Sequence, residues 1–338
     1  MRKSQFFVLL AACVCLVCAI GFASCGNNTD GGELAFVSNG DGTCSVQVGT
    51  YKGADVVIPT TSPAGDTVTS IADNAFNDCK KLKSVTIPDT VTVIGTSAFY
   101  KCDSLKSVVI PDSVTTVGNY AFYYCEGLQT VELGKGVTEI GQHAFYYCER
   151  LTEVSGGENV KTIGNFAFAR CPMLSKITIP DGVETIGIAA FKSCRSLFDI
   201  TLPDTVTSIG RDVFYDTAYY NDEGNWEGDA LYLDNFLLRV NTSLKGFYSI
   251  DSGTTTIVPY AFYGCTTLTG VSLPDTVTNI GEGAFCDCKK LNSIYFDGTV
   301  EAWEAISKGA DWNHNIPADT IICSDGFVDL IEAFESET

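Results

Sequence analysis

The chain has 338 residues, of which 45% are hydrophobic and 18% are charged, so it carries enough apolar material to build a core and is not intrinsically disordered. Acidic residues outnumber basic residues 41 to 21, and the net charge of -20 argues against nucleic acid or an anionic membrane surface as a partner. The chain has fifteen cysteines but only two histidines, so any zinc site would consist almost entirely of thiolates.

The N-terminus has the pattern of an export signal. A short basic head precedes an uncharged apolar run over 6–22, which is short for a membrane-spanning helix. The run ends in Phe-Ala-Ser-Cys, which resembles a bacterial lipobox except that Phe22 stands where leucine is more usual. We therefore predict a lipoprotein-type signal peptide over 1–24 and lipidation of Cys25, which would anchor the protein at the bacterial cell surface by its lipid alone. The alternative is an ordinary signal peptide and a secreted protein.

The segment after the signal predicts a linker and a cap. Residues 25–33 are rich in glycine and asparagine and are predicted to form a flexible tether. Within 34–65, two apolar runs flank the turn-like sequence Asn-Gly-Asp-Gly at 39–42, which predicts a β-hairpin. This hairpin would cover the first of the repeats that follow, because an uncovered terminal repeat exposes its core and its strand edge.

A 23-residue repeat organises most of the remaining chain. Cysteine occurs three residues after each repeat phenylalanine and leucine three residues further on, except in the unit of Phe214, where Thr217 stands in place of the cysteine and the leucine is also absent. Isoleucine or valine, mostly followed by glycine, precedes the phenylalanine. The phenylalanines are Phe76, Phe99, Phe122, Phe145, Phe168, Phe191, Phe214, Phe262 and Phe285. A unit of this size cannot bury its own apolar face, so successive units must stack.

Each repeat predicts one coil of a solenoid. Alternation in Val85-Thr86-Ile87 indicates a short strand that ends at Pro88, and Val91 and Ile94 mark a second extended segment that bends at Gly95. The five residues around the phenylalanine predict a single helical or 3₁₀ turn that places its ring in the core. The length of the chain suggests two domains, but the repeat predicts one β-rich solenoid of stacked parallel strands over 66–295.

The repeat is interrupted once and fades at the end. The interval from Phe214 to Phe262 is 48 residues, and we predict an irregular insertion at about 215–250 with a hairpin turn at Asp234-Asn235. Residues 296–338 are predicted to form a C-terminal cap and tail, with a helix from about Val300 to Ser307 and a strand over 320–323.

The repeat residues also carry a family resemblance. The pattern L-x-x-V-x-I-P-x-x-V-x-x-I-x-x-x-A-F-x-x-C resembles the BspA-like leucine-rich repeat of bacterial surface proteins over about residues 66–295. The resemblance implies a right-handed leucine-rich-repeat solenoid, often anchored by lipid or to the cell wall, that binds proteins or other surfaces and catalyses nothing. It further implies partners of the kind that related proteins bind, host matrix or plasma proteins.

The repeat cysteines do not have the spacing of a metal or disulfide site. A zinc site needs closely spaced ligands such as C-x-x-C, which a spacing of 23 residues does not provide. A disulfide needs Cβ atoms about 3.8 Å apart, whereas equivalent side chains in adjacent coils point the same way about 4.8 Å apart. We predict buried free thiols. They are Cys79, Cys102, Cys125, Cys148, Cys171, Cys194, Cys265 and Cys288. Cys44, Cys286 and Cys323 remain unassigned.

The sequence offers no catalytic constellation. It contains none of the patterns G-x-S-x-G, H-E-x-x-H, P-loop or G-x-G-x-x-G, and His143 falls at a variable surface position of the repeat. The acidic loop 216–229 has carboxylates that could hold calcium, but it lacks EF-hand spacing, so a solvated loop is favoured. We predict no enzymatic activity, no cofactor and no metal.

Tyrosines supply the candidate binding residues. Because coils repeat about every 4.8 Å, Tyr100, Tyr123 and Tyr146, each directly after a repeat phenylalanine, are predicted to stack at about 5 Å along one edge, beside Tyr124 and Tyr147. Tyrosine is frequent at recognition surfaces because it gives a large contact with a polar tip. The alternative is that these rings only pack on one another and stiffen the solenoid.

The outward positions of the first strands form a second surface, which is predicted to be small, polar and flat. It consists of Ser84, Thr86, Ser107, Val109, Thr130, Glu132, Glu153, Ser155, Lys176, Thr178, Asp199 and Thr201. Such a face suits an extended protein or glycan better than a small molecule. The sequence thus predicts a monomeric, non-catalytic cell-surface protein that mediates adhesion or binds a protein. A glycan-binding module and a structural envelope spacer without a ligand are the alternatives.

Overall fold

The computed structural model describes residues 32–330. Within this range the chain forms a β-solenoid of about 12 coils of about 23 residues, as the repeat predicts. The predicted signal peptide, Cys25, most of the predicted tether and residues 331–338 of the predicted tail lie outside the described residues.

Each regular coil contributes two short strands that pair in parallel with the equivalent strands of the neighbouring coils, as Glu139 and Ile140 pair with Thr162 and Ile163. The first strands are Asp55–Val57, Ser84–Thr86, Ser107–Val109, Thr130–Leu133, Glu153–Gly156, Lys176–Thr178, Asp199–Thr201, Gly246–Ser249, Leu268–Leu273, Ser293–Phe296 and Thr320–Ile322. The second strands are Thr43–Gln47, Thr67–Ile71, Val93–Ile94, Thr116–Val117, Glu139–Ile140, Thr162–Ile163, Thr185–Ile186, Ser208–Ile209, Phe236–Val240, Thr256–Ile257, Asn279–Ile280 and Ser307–Lys308.

The repeat phenylalanines stack on one another inside the coils, in one long stack and one short stack. From Phe76 to Phe214 successive ring centroids are 5.0 to 5.7 Å apart, and the rings are within about 11° of parallel. All seven rings are buried. A second short stack joins Phe262 and Phe285 at 4.7 Å. Each coil therefore completes the packing of its neighbours, which is why a single repeat has no core of its own.

The segment that carries each phenylalanine is a run of tight turns. In the coil of Phe99, the backbone N–H groups of Ala98, Tyr100 and Cys102 donate to the carbonyl three residues earlier, which is 3₁₀-type bonding as predicted. Ser97 and Lys101 adopt positive φ angles of 55° and 56°, and the same two positions are left-handed in the other regular coils. These residues prevent the turns from joining into a helix.

The repeat cysteines are free thiols that connect one coil to the next. The thiol of Cys125 donates to the carbonyl oxygen of Phe99 in the preceding coil at 3.1 Å, and this contact recurs along the stack. Seven of the eight are buried, as predicted, and burial raises the pKa of Cys125 well above its ordinary value. The prediction is wrong for Cys79, which is partly exposed because the first coil has no preceding turn to cover it.

Thr217 shows why the cysteine series breaks. Its hydroxyl donates to the carbonyl of Phe214 at 2.8 Å and accepts a hydrogen bond from the N–H of Tyr220 at 3.1 Å. It is thereby the N-cap of the short helix Ala218–Asn221, which leads the chain away from the regular coil path. A hydroxyl at this position can cap a helix, whereas a thiol is a weak hydrogen-bonding group.

The insertion builds the start of a new sheet. After the 3₁₀ helix Glu223–Asn225, strand Trp226–Glu227 pairs antiparallel with Ala230–Leu233. The latter pairs antiparallel with Phe236–Val240, and the predicted Asp234-Asn235 turn connects them. The second-strand ladder is thus divided into a nine-stranded sheet, which also includes the cap strand Ala35–Ser38, and a six-stranded sheet.

Both ends of the described chain are capped. Ala35–Ser38 pairs antiparallel with Thr43–Gln47 at the N-terminal end. At the C-terminal end, Thr299 caps the helix Val300–Ala305, two residues shorter than predicted, and strand Phe327–Asp329 closes the sheet antiparallel to Thr320–Ile322. Between residues 32 and 330, no helix is long and apolar enough to cross a membrane.

Candidate functional site

The predicted tyrosine stack lies on the turn side of the solenoid. The ring centroids of Tyr100 and Tyr123 are 5.1 Å apart and those of Tyr123 and Tyr146 are 5.0 Å apart, with interplanar angles of 10°. Tyr124 and Tyr147 form a neighbouring stack at 4.4 Å. The predicted spacing is confirmed, and it follows from the backbone hydrogen bonds that hold successive turns in register.

A third stack joins this surface and was missed by the sequence analysis. His143 lies between Tyr120 and Phe166, with centroid distances of 4.9 and 4.8 Å. These residues occupy the left-handed position two residues before the repeat phenylalanine. His143 is therefore a half-buried member of a stack. The residue type at this position varies between coils, as predicted, but the ring is packed between its neighbours and is not a free surface side chain.

The three stacks form one continuous surface, which we call the aromatic edge. It comprises Tyr100, Tyr120, Tyr123, Tyr124, His143, Tyr146, Tyr147 and Phe166. Tyr123 connects the stacks, since its centroid is 4.7 Å from that of Tyr124 and 5.4 Å from that of Tyr120. The ammonium of Lys101 lies 5.4 Å from the ring centroid of Tyr100, within reach of a cation–π contact. All eight aromatic residues are half-buried.

The aromatic edge is electrically neutral around its centre at neutral pH. Burial raises the pKa of Tyr123 to about 12, with smaller contributions from the neighbouring tyrosines, so its phenol keeps its proton. Burial also lowers the pKa of His143, and its Nδ1 atom is buried without a hydrogen-bond partner among residues 32–330. Both shifts favour the uncharged side chain.

The pKa of His143 predicts a pH effect on stability. Because the folded-state pKa lies below the ordinary value of 6.5, the unfolded chain takes up a proton that the folded chain resists as the pH falls through that range. The contribution of the neutral His143 to the free energy of unfolding is therefore fully present above pH 6.5 and is lost as the pH falls below that value. His143→Phe, which repeats the residue at position 166 of the next coil, removes this contribution.

We expect the thermal midpoint to fall more between pH 7.5 and pH 5.0 in the wild type than in His143→Phe, because the remaining titrating groups are common to both proteins. Differential scanning fluorimetry at the two pH values measures this difference. Equal shifts would contradict a neutral His143 in the stack.

The predicted sheet face is exposed as expected, but its character changes along the solenoid. All twelve predicted outward residues from Ser84 to Thr201 are exposed. At the C-terminal end the equivalent face instead presents Phe247, Tyr295, Ile322 and Phe327. Their alternation with buried residues in strands was the sequence signal that could have identified them.

The acidic loop 216–229 does not assemble a metal site. Its carboxylates are used locally: Asp222 accepts a hydrogen bond from the N–H of Gly224 at 2.9 Å, and Asp216 contacts Arg195 at 3.1 Å. In the described part of the chain, no group of three or more His, Cys, Asp or Glu side chains is arranged to hold a metal ion.

The sequence and the fold both match proteins of one kind. The family model of the BspA type leucine-rich repeat region matches residues 60–175, 161–222 and 236–307, in six copies. No curated protein matches the chain in sequence. A leucine-rich repeat protein of Bacteroides ovatus is 22% identical, with a TM-score of 0.50 over 86% of this chain and 77% of that one, and it has the same fold. A leucine-rich cell surface protein of Faecalibacterium prausnitzii is 25% identical over 87% and 93% of the two chains, with a TM-score of 0.44.

Proposed function

Because the chain belongs to the BspA-type leucine-rich repeat family, we propose that it is a non-catalytic binding protein of the bacterial cell surface that recognises another protein through the aromatic edge. Leucine-rich repeat solenoids offer extended surfaces of regularly spaced side chains, which suit large partners. The observation that carries the proposal is the concentration of eight half-buried aromatic side chains on four consecutive coils.

The geometry of the stacks favours a protein over a glycan. Tyr123 is enclosed between Tyr100 and Tyr146, so neighbouring rings occupy both of its faces. A sugar ring that stacks on an aromatic platform needs an open face. The outer parts of these rings, including the hydroxyl groups, offer apolar contact together with hydrogen bonding, which is the mixture that tyrosine contributes at protein interfaces.

Display at the cell surface rests on the N-terminal sequence. The basic head, the apolar run and the Phe-Ala-Ser-Cys sequence up to Cys25 support export and lipid anchoring. Lipidation of Cys25 would place the first described residues only a few residues from the membrane. Removal of residues 1–24 takes away two basic residues and no acidic ones, so the mature chain would be even more acidic than the full chain. This charge would keep the solenoid away from anionic headgroups and leave the aromatic edge accessible.

The proposal predicts that binding is lost when the aromatic edge is truncated. The mature protein is tested against a panel of purified matrix and plasma proteins and a glycan array. For each protein that binds, we expect the double variant Tyr123→Ala/Tyr146→Ala to weaken binding at least about tenfold, because tyrosine is enriched among the interface residues whose truncation costs about 2 kcal/mol or more. Surface plasmon resonance measures the change.

The matched control is Tyr215→Ala/Tyr263→Ala. These tyrosines occupy the same position after the repeat phenylalanine and are exposed, but they lie outside the aromatic edge. The control is expected to bind like the wild type. Equal loss in both double variants, or no loss in either, would reject the aromatic edge as the binding surface. Binding to glycans alone would reject the choice of a protein partner.

A further inference from the structure

A cavity of about 310 Å³ lies where the stack of turns meets the N-terminal cap. We call it the N-terminal pocket. It is lined by Val48, Tyr51, Lys52, Gly53, Phe76, Asp78, Cys79, Lys80, Lys81 and Leu82. This volume lies at the lower end of the range of about 300–1,000 Å³ that small-molecule sites in proteins occupy.

The pocket exists because the cap does not supply a turn. In later coils each turn lies against the turn of the preceding coil, and each repeat thiol donates to the preceding phenylalanine carbonyl, as Cys102 does to Phe76 at 3.2 Å. The hairpin cap replaces only part of this contact, through the N–H of Val48 and the carbonyl of Ala75 at 2.9 Å. Cys79 has no preceding coil to provide its acceptor, and it is a partly exposed residue of the cavity lining.

The lining combines an apolar floor with a cationic rim. Tyr51, Phe76 and Leu82 belong to the buried core, and Val48 is packed against it, so the floor is held in place by the fold. The three rim residues Lys52, Lys80 and Lys81 are exposed. Asp78 is the one acidic lining residue, and it is paired with Lys80 at 3.4 Å, so the rim keeps a net positive charge.

We propose that the N-terminal pocket binds a small amphipathic monocarboxylate of about ten heavy atoms, such as a medium-chain fatty acid. The apolar body covers the floor, and the carboxylate lies among the rim lysines. A single negative charge fits this site because the rest of the chain is strongly acidic and repels polyanions. The pocket lies at the end of the solenoid and shares no residue with the aromatic edge, so this inference does not depend on the proposed function.

Cys79 reports occupancy of the pocket directly. The mature protein is alkylated with iodoacetamide, with and without octanoate, and modification is followed at each cysteine by mass spectrometry. We expect octanoate to slow alkylation of Cys79 with a half-effect at about 0.05–1 mM, the range open to a ligand of this size. Cys286 is the internal control, because it is also partly exposed and lies in a distant coil. Its alkylation rate is expected to stay unchanged.

The charge requirement is tested with a matched ligand and matched variants. Octylamine, which has the same number of carbon atoms and the opposite charge, is expected to protect Cys79 at least tenfold less well. The variant K52Q/K80Q/K81Q should weaken octanoate protection about tenfold, whereas K106Q/K135Q/K290Q, which removes three exposed lysines elsewhere, should not. All six side chains are exposed, so both variants are expected to fold.

Four results would overturn the proposal. Equal protection of Cys79 and Cys286 by octanoate would indicate non-specific binding. Equal protection by octanoate and octylamine, or unchanged protection in K52Q/K80Q/K81Q, would show that the rim does not select an anion. Alkylation of Cys79 without ligand at the slow rate of the buried thiols would mean that another part of the chain already covers the pocket.

Discussion

Phe145→Ala is expected to lower the free energy of unfolding by about 3–5 kcal/mol, the usual cost of removing a buried phenylalanine ring. Phe145 is fully buried, and its centroid is 5.1 Å from those of both Phe122 and Phe168. Its removal leaves a void that both neighbouring coils share and breaks the stack in the middle. Guanidinium denaturation followed by circular dichroism measures the loss.

Phe198→Ala is the matched control, because the same change is made at a side chain that is 50% exposed. We expect this variant to lose less than about 1 kcal/mol, as most surface substitutions do. Since repeat proteins can unfold in segments, a second transition in Phe145→Ala would also agree with a break in the stack. Equal losses at Phe145 and Phe198 would contradict a core built from the phenylalanine stack.

Gly141→Ala is expected to destabilise the protein by about 1–3 kcal/mol or more, although it adds a single methyl group. A Cβ atom at Gly141 would lie 2.6 Å from the carbonyl carbon of Gly118 and 2.7 Å from the backbone of Val117 and Asn119. These are backbone atoms of the preceding coil, which cannot rotate away as a side chain can. The two coils would have to separate along their hydrogen-bonded strands.

Gly253→Ala tests the specificity of this effect. Nothing lies within 4 Å of a Cβ atom at Gly253, and its backbone is not left-handed, so alanine fits there. We expect its thermal midpoint to equal or slightly exceed that of the wild type, because alanine restricts the unfolded chain. A Gly141→Ala protein with the thermal midpoint of the wild type would show that the coils are less closely stacked than described.

The repeat made the fold and the first tyrosine stacks predictable. The 23-residue period places equivalent residues of successive coils one strand spacing apart, so the stacking of Phe76 through Phe214 and of Tyr100, Tyr123 and Tyr146 follows from sequence position alone. The same argument predicted free thiols, because parallel side chains at this spacing cannot meet as disulfides.

Features that depend on backbone conformation or on chain ends were not predictable in this way. The stack of Tyr120, His143 and Phe166 was missed because these residues differ in type, although their shared left-handed backbone places them in line. The partial exposure of Cys79 depends on how the cap packs against the first coil. The cap is not part of the 23-residue repeat, so the repeat does not predict this packing. The seven buried counterparts of Cys79 all have a coil before them.

The central claim is that a protein partner covers the aromatic edge, and hydrogen–deuterium exchange tests it most directly. The strongest protein ligand from the binding panel is added to the mature protein, and exchange is followed by mass spectrometry. We expect slower exchange in the turns 97–103, 120–126 and 143–149, with little change in the first strands. Protection confined to the first strands or to the face around Phe247 and Phe327, or a panel without any protein ligand, would contradict the account.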